Sequence, residues 1–402
     1  MRVTLKHGKE KSLHRGYPWF FSNQVSRVEG EPGRGDVVRV ADGQGKPLGQ
    51  AIYHEASLIA GRMLTEKEDV EIDAAFFERR VLAALALRQR ALPEATHARL
   101  IFSESDGIPG TIVDRYGDVL TISTISYGME QRRDWILDPL IKALNPVAIV
   151  ERNDAALRAK DGLPERQGVI SGTLPEVVHI EEPSLGDAPV RFEVDVLNGP
   201  KTGFFIDQRF NRIEAARHAR GGRVLDVFSA DGGFALHAAA AGATHVDAVD
   251  SSQSALDRVV SNAELNGMAD RVATHQADAL EWVGETAREV LAGRHEPYDL
   301  VILDPPGFAK SRKQLEGAVK AYQRINISGF QMLAPGGVLA TASCSQALDQ
   351  KSFLDIVRYS ARKAGVRLQL LHRGSQPPDH PVLDAMPETE YLSFFIFRAL
   401  PD

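Results

Sequence analysis

Hydrophobic positions along this chain change their period twice, and the changes divide it. Up to about residue 70, short alternating runs such as "DVVRV", "LGQAIY" and "SLIAGRML" are separated by the turn-rich stretches "EPGRGD" and "ADGQGKP". Alternation interrupted by Gly and Pro predicts a small β-barrel-like unit. At "DAAFFERRVLAALALRQRAL" the period becomes helical, with Phe76, Phe77, Val81, Leu85 and Leu92 on an apolar face and Asp73 placed to cap the N-terminus. The strand-like "RLIFSE", "GTIVDRYG" and "VLTISTIS", a helix around Gln131 to Leu144 and the strand "VAIVER" follow. They predict a central α+β unit that closes near residue 189, in "EEPSLGDAP". The next stretch, "VRFEVDVLNGPKTGFFI", reads as a hairpin leading into a helix near Asp207.

From residue 223 strands alternate regularly with helices: "RVLDVFS", "HVDAVD", "VATHQAD", "YDLVILD" and "GGVLATAS" are the strands. That spacing predicts a mostly parallel sheet with helices on both faces and right-handed crossovers. Two last runs, "RLQLLHR" and "YLSFFIFRAL", predict an antiparallel pair at its edge. The expected architecture is α/β, with units at 1–70, 71–189 and 190–402.

Composition narrows the class. A chain of 402 residues exceeds what one hydrophobic core serves, and its 43% hydrophobic and 25% charged content is that of an ordinary globular protein. No run approaches the roughly 18 apolar residues that span a bilayer, and the N-terminus lacks a signal-peptide core, so a cytoplasmic protein without a membrane partner is expected. The single cysteine, Cys344, excludes an internal disulfide and any cysteine-built metal site. Without His-x-x-x-His spacing either, no metal is expected. The net charge of −7 argues against indiscriminate nucleic-acid binding. Local clusters change that picture: Arg2, Lys6, Lys9, Lys11 and Arg15 face only Glu10, and "FAKSRKQ" carries Lys310, Arg312 and Lys313.

Candidate chemistry gathers at strand ends, where parallel sheets bind ligands. The first strand runs into "DVFSADGGFALHAA", where Gly232 and Gly233 permit a tight turn at a helix N-terminus, and the second ends in Asp250, suited to ribose hydroxyls. Asp231 beside the turn would repel a pyrophosphate, which favours S-adenosylmethionine over a dinucleotide. Asp278 ends the third strand as an acceptor for an adenine amine, and Asp304-Pro305-Pro306 ends the fourth as a stiff, acceptor-bearing loop. Cys344 ends the fifth, in line with Asp226, Asp250, Asp278 and Asp304. A thiolate there can add to carbon-6 of a pyrimidine and make carbon-5 nucleophilic, with Asp304 holding the base. Such a thiol, of ordinary pKa about 8.5, is most simply activated by a nearby cation, for which Lys310 is the candidate.

These residues resemble the RlmI-type methyltransferases of large-subunit ribosomal RNA, across "YPWFFSN", "KTGFFIDQRFNR", "LDVFSADGGFALHAA", "LDPPGFAKS", "TASCS" and "DHPVLDAMPETEYL". The resemblance implies an N-terminal PUA domain, a central α/β domain and a class I methyltransferase domain making 5-methylcytosine with S-adenosylmethionine. Carried over by position, Cys344 is the nucleophile and Asp304 the base-contacting acid. Candidate cofactor contacts are Lys201, Thr202, Gly203, Asp226, Phe228, Ser229, Gly232, Asp250, Ser251, Asp278, Ala279 and Asp304; candidate RNA contacts are Lys6, Lys9, Lys11, Arg15, Pro305, Phe308 and Lys310. The Lys201–Gly203 turn is expected as a lid near the methionine end, and His380 as a loop residue. The chain departs from its kin at Ala230 and Asp231, where an aromatic and a small residue are common. It also has Gly307 where other cytosine methyltransferases carry a second cysteine. The expected partner is large-subunit ribosomal RNA, with a second copy of the chain as a further candidate. Two rival functions remain: methylation of another RNA atom such as a guanine nitrogen, and RNA binding without catalysis.

Overall fold

The alternating runs of the N-terminal segment become a six-stranded sheet in a computed structural model that describes residues 1–154, 157–309 and 312–400. Its inward positions, among them Val3, Leu5, Phe20, Val38, Val40 and Ala51, make one core. The helical run becomes the helix Ala74–Ala91, and the Asp73 carboxylate accepts from the Phe76 amide at 2.8 Å as its N-cap. This helix and Arg133–Leu144 bury Phe76, Phe77, Val81, Ile136 and Leu140 against a five-stranded sheet built from His97–Phe102, Thr111–Tyr116, Val119–Thr124, Ala148–Asn153 and Arg166–Gly172. The last strand, which pairs antiparallel with Ala148–Asn153, carries two glycines and mostly exposed side chains, so neither alternation nor burial announces it in the sequence.

The chain divides into two compact units. The first holds both sheets and also takes in Val194–Phe204 and Pro378–Thr389; the second comprises His179–Glu193, Phe205–Pro377 and Glu390–Asp402. The hairpin expected across 190–206 does not form. Val190–Val194 pairs instead with Val178–Glu182, and "DVLNGPKTG" closes on itself as turns through Gly199 N to Asp195 O and Gly203 N to Pro200 O, both 2.8 Å.

The second unit is a seven-stranded sheet. Its strands are β1 (Arg223–Val227), β2 (His245–Asp250), β3 (Val272–Gln276), β4 (Tyr298–Leu303), β5 (Leu333–Ser343), β6 (Arg367–Gly374) and β7 (Ser393–Leu400), in the order β3-β2-β1-β4-β5-β7-β6. The first five are mutually parallel, and β7 lies antiparallel between β5 and β6. Leu225, Val227, Val301, Leu303 and Phe395 face one core, whereas Val224, Leu300, Ile302, Phe394 and Ile396 face another. Alternate residues therefore enter opposite cores, which is why these strands read as continuous apolar runs. Intervening helices include α1 (Arg209–Ala216), α2 (Gly233–Ala240), α3 (Gln253–Leu265), α4 (Ala279–Leu291), α5 (Leu315–Gln331) and α6 (Gln350–Lys363). Parallel register aligns Val227 with Val249 and Leu303, and Leu303 with Thr341, so residues just beyond these positions share one edge.

Candidate functional site

The loop from β1 to α2 is held in a conformation that side chains disfavour. Phe228, Ala230 and Gly232 have φ of +65°, +48° and +81°. Generic loops of this kind place glycine at such positions, and a non-glycine residue there costs on the order of 1–3 kcal/mol. The surroundings over-determine the shape: the Phe228 and Ser229 amides donate to Val249 O at 2.9 and 3.1 Å, and the Ala230 amide donates to Asp250 Oδ2 at 3.0 Å. Asp250 Oδ1 accepts from the Ser252 amide at 2.9 Å, so this acid ties the loop to the end of β2. Gly233 has a different reason to be glycine, because a Cβ there would lie 2.4 Å from Arg212 Nε. Arg212 is buried and forks onto Glu182 at 2.8 and 3.0 Å, while His237 meets the same carboxylate at 2.9 Å.

Asp226 lies fully buried beneath this loop. Its Oδ2 accepts from Ser229 Oγ at 2.8 Å and the Ala235 amide at 3.0 Å, and its Oδ1 has no hydrogen-bond partner among the described residues. Burial pushes its pKa up to about 6, against the pull of those two donors, with the Asp250 charge adding to the rise. Asp231 is buried too, but it points at α3, where Arg258 Nε donates to it at 2.6 Å. That ion pair offsets the charge expected to repel a phosphate, so the preference for a phosphate-free cofactor rests on the strand-end acids instead. Asp278 caps α4 by accepting from the Glu281 amide at 3.0 Å; Ala279 beside it is buried and Ser251 is exposed.

At the end of β4, Gln208 Nε2 donates to Asp304 Oδ2 at 2.9 Å, and Gln208 Oε1 accepts from Asn211 Nδ2 at 2.6 Å. These amides orient the acid. Sequence reasoning singled out the surrounding "KTGFFIDQRFNR" without assigning Gln208 or Asn211; their spacing of three on a helical turn was the available signal. Pro305 is buried, and Cys344 is half-buried with its thiol directed weakly at Pro305 O, 3.9 Å away. A Cβ built on Gly307 would stand 3.6 Å from Cys344 Sγ, so the glycine keeps a side chain off the thiol. On either side of Cys344, Ser343 Oγ donates to Tyr322 Oη at 2.9 Å and Ser345 Oγ bonds the same hydroxyl at 3.0 Å. Phe308 packs 4.8 Å from the Tyr322 ring and 6.3 Å from Phe228, so an aromatic row joins the cofactor loop to the thiol.

Lys201, Thr202 and Gly203 belong to the first unit, where Thr202 Oγ1 donates to Asp114 and bonds Tyr116 Oη at 3.0 Å. His380 is buried with Nδ1 3.0 Å from Asp379 Oδ1, and Asp379 Oδ2 accepts from the Arg99 amide at 3.0 Å. Lys6, Lys9, Lys11 and Arg15 are exposed on the barrel; Lys6 Nζ donates to Asn23 O at 2.8 Å. Lys310 lies outside the described residues.

A seven-stranded sheet of this order, with acids at successive strand ends, defines a class I S-adenosylmethionine-dependent methyltransferase. Four strand-end carboxylates, Asp226, Asp250, Asp278 and Asp304, suit a ligand with a sulfonium, an ammonium and hydroxyl donors, and Asp226 Oδ1, without a hydrogen-bond partner among the described residues, is an acceptor suited to a buried donor. Comparison with known proteins agrees: residues 171–397 match the S-adenosylmethionine-dependent methyltransferase family and residues 3–66 match the PUA-like domain. The chain is 42% identical over 99% of both chains to Ribosomal RNA large subunit methyltransferase I of Aeromonas hydrophila. It is 39% identical, again over 99% of both, to the protein of that name in Shewanella denitrificans. A candidate SAM-dependent methyltransferase from Streptococcus mutans shares the fold, with a TM-score of 0.82 at 21% identity over 99% of this chain and 100% of that one. A structure with the same TM-score, identity and coverage is a complex with SAH. The chain belongs to the ribosomal RNA large subunit methyltransferase I family, and S-adenosylmethionine is its cofactor.

Proposed function

We propose that the protein methylates carbon-5 of a cytosine in large-subunit ribosomal RNA through a transient covalent bond to Cys344. The observation that carries this reading is the thiol's position, at the end of β5 against Pro305 and next to the amide-oriented Asp304. When bound, S-adenosylmethionine supplies an electrophilic methyl group. Asp226 and Ser229 would hold its polar end, Asp250 the ribose hydroxyls and Asp278 the adenine amine, and the Phe228–Phe308 row would exclude water. Asp304 accepts from the exocyclic amine and orients the ring over Cys344, between Pro305 and Phe308. The Cys344 thiolate adds to carbon-6, and the electron pair of the carbon-5–carbon-6 double bond becomes available at carbon-5 for methylation. Transfer of the carbon-5 proton to a base then restores that double bond as the carbon–sulfur bond breaks and the thiolate leaves. The exposed Lys9, Lys11 and Arg15 of the barrel recruit RNA phosphates.

The test is methyl transfer from labelled S-adenosylmethionine to unmodified ribosomal RNA. Cys344→Ala is expected to lose 5-methylcytosine formation, by a factor of at least about 10³, while binding the cofactor normally. Product formation at the wild-type rate would refute the covalent route. Nucleoside mass spectrometry identifies the methylated atom, and a guanine product would refute the cytosine reading.

A further inference from the structure

The barrel carries a cavity that plays no part in the proposed methyl transfer. It is open to solvent and has a volume of about 370 Å³, in the range of small-ligand sites, and its lining includes buried Leu48 and Leu64, half-buried Tyr17 and Met63, and exposed Lys46 and Glu66.

Its walls are fixed in place. Trp19 Nε1 donates to Glu104 at 2.8 Å, Arg62 bonds the same carboxylate, and Tyr17 stands edge-on to Trp19 with ring centroids 6.1 Å apart. The Tyr17 hydroxyl donates to Glu388 at 3.2 Å. "YPWFFSN" thus anchors through its tryptophan and offers its tyrosine to the cavity. At the rim, Asp42 Oδ1 accepts from the Gln44 and Lys46 amides, both at 2.9 Å, and this turn presents Lys46.

Shape and charge select the occupant. A lining that mixes apolar Leu48, Met63 and Leu64 with the Tyr17 ring accepts a flat ring, and the exposed cation Lys46 and carboxylate Glu66 complement a base edge bearing a carbonyl and an amine. Exposed Lys11 and Arg15 belong to the chain segment that supplies Tyr17, so a phosphodiester leaving the cavity runs onto positive charge. We propose that this cavity is a nucleobase subsite, which takes one unstacked base of single-stranded RNA against Tyr17 while Lys11 and Arg15 meet the neighbouring phosphates. The proposal rests on RNA being the substrate and adds a binding site remote in sequence from Cys344.

Fluorescence anisotropy of the full chain separates the two ideas. The probes are a short single-stranded RNA and an abasic ribose-phosphate oligomer of equal length and charge. Wild type is expected to bind the RNA about tenfold more tightly than the abasic oligomer. Tyr17→Ala should bind both equally, at the abasic affinity, and Tyr17→Phe should restore the tenfold preference. S-adenosylmethionine affinity of each variant reports that the chain is folded. Equal binding of the two oligomers by wild type, or an unchanged preference in Tyr17→Ala, overturns the subsite and leaves RNA recruitment standing. Failure of wild type to bind either oligomer overturns both.

Discussion

Asp226 shows how one buried carboxyl joins stability to ligand binding. Its pKa is raised to about 6, whereas an unfolded chain ionises near about 3.9. Between those values the folded protein keeps a proton that the unfolded chain has lost, so this residue makes stability fall as pH rises from about 4 to 6. Asp226→Asn removes the titration. In urea unfolding of the cofactor-free chain, its stability relative to wild type is expected to improve by on the order of 2 kcal/mol between pH 4 and 7. A stability difference that stays constant over that range would show that Asp226 does not titrate there. The same variant should bind S-adenosylmethionine more weakly at pH 7, by about tenfold, because a charge-assisted partner is lost. That Asp226 ends the first strand is plain from "RVLDVFS"; its orphaned oxygen depends on how Ser229 and Ala235 fold back over it.

At the scale of elements, α5 is tied to the end of β5. The Tyr322 hydroxyl joins Ser343 and Ser345, which flank Cys344, and the Ala309 amide donates to Ser345 Oγ at 3.2 Å, so one helix residue positions both the thiol turn and the loop after Pro306. Tyr322→Phe keeps the ring packing and removes the shared hydroxyl. The expected result is a fall in kcat of about 10- to 100-fold with little change in KM for the cofactor, and an altered pH profile for alkylation of Cys344 by iodoacetamide. An unchanged kcat and alkylation profile would show that the hydroxyl does not position the thiol. The strands and helices here were legible because each carries a strong period; Tyr322 was not, since a tyrosine on an apolar helix face reads as core until its hydroxyl is seen between two serines. The failed hairpin at 190–206 has a related cause. Its alternation suits any neighbour, and the partner it takes, Val178–Glu182, lies before it in the chain.

For the whole molecule, an acidic chain of net charge −7 exposes Lys6, Lys9, Lys11 and Arg15 on its barrel. Lys9→Glu with Lys11→Glu is expected to weaken RNA binding and to flatten its dependence on salt, by about 0.7 in log–log slope for each phosphate no longer neutralised. Cofactor affinity should not change. An unaltered slope would remove these lysines from the RNA site. Within the first unit, buried charge has a structural use: Arg88 forks onto Asp106 at 2.6 and 2.7 Å, Arg99 onto Asp114 at 2.8 Å through both nitrogens, and Asp379 joins them through the Arg99 amide. Such pairs hold position because removal of one partner leaves the other as an uncompensated buried charge.

The sequence alone determined what repeats along the chain. Alternating and helical periods, glycines at a strand end and acids at successive strand ends all survive in one dimension, because each reflects a local rule that recurs. The parallel sheet, its edge pair and the alignment of Cys344 with Asp304 follow from them. Tertiary structure decided whatever depends on residues distant in the chain. It grouped Pro378–Thr389 with the first unit, turned Asp231 toward Arg258, gave Asp304 its amide from Gln208 and shaped an open cavity lined by Tyr17. Those choices follow from packing and from the need to pair buried polar groups, which act between neighbours in space and leave no period in the sequence.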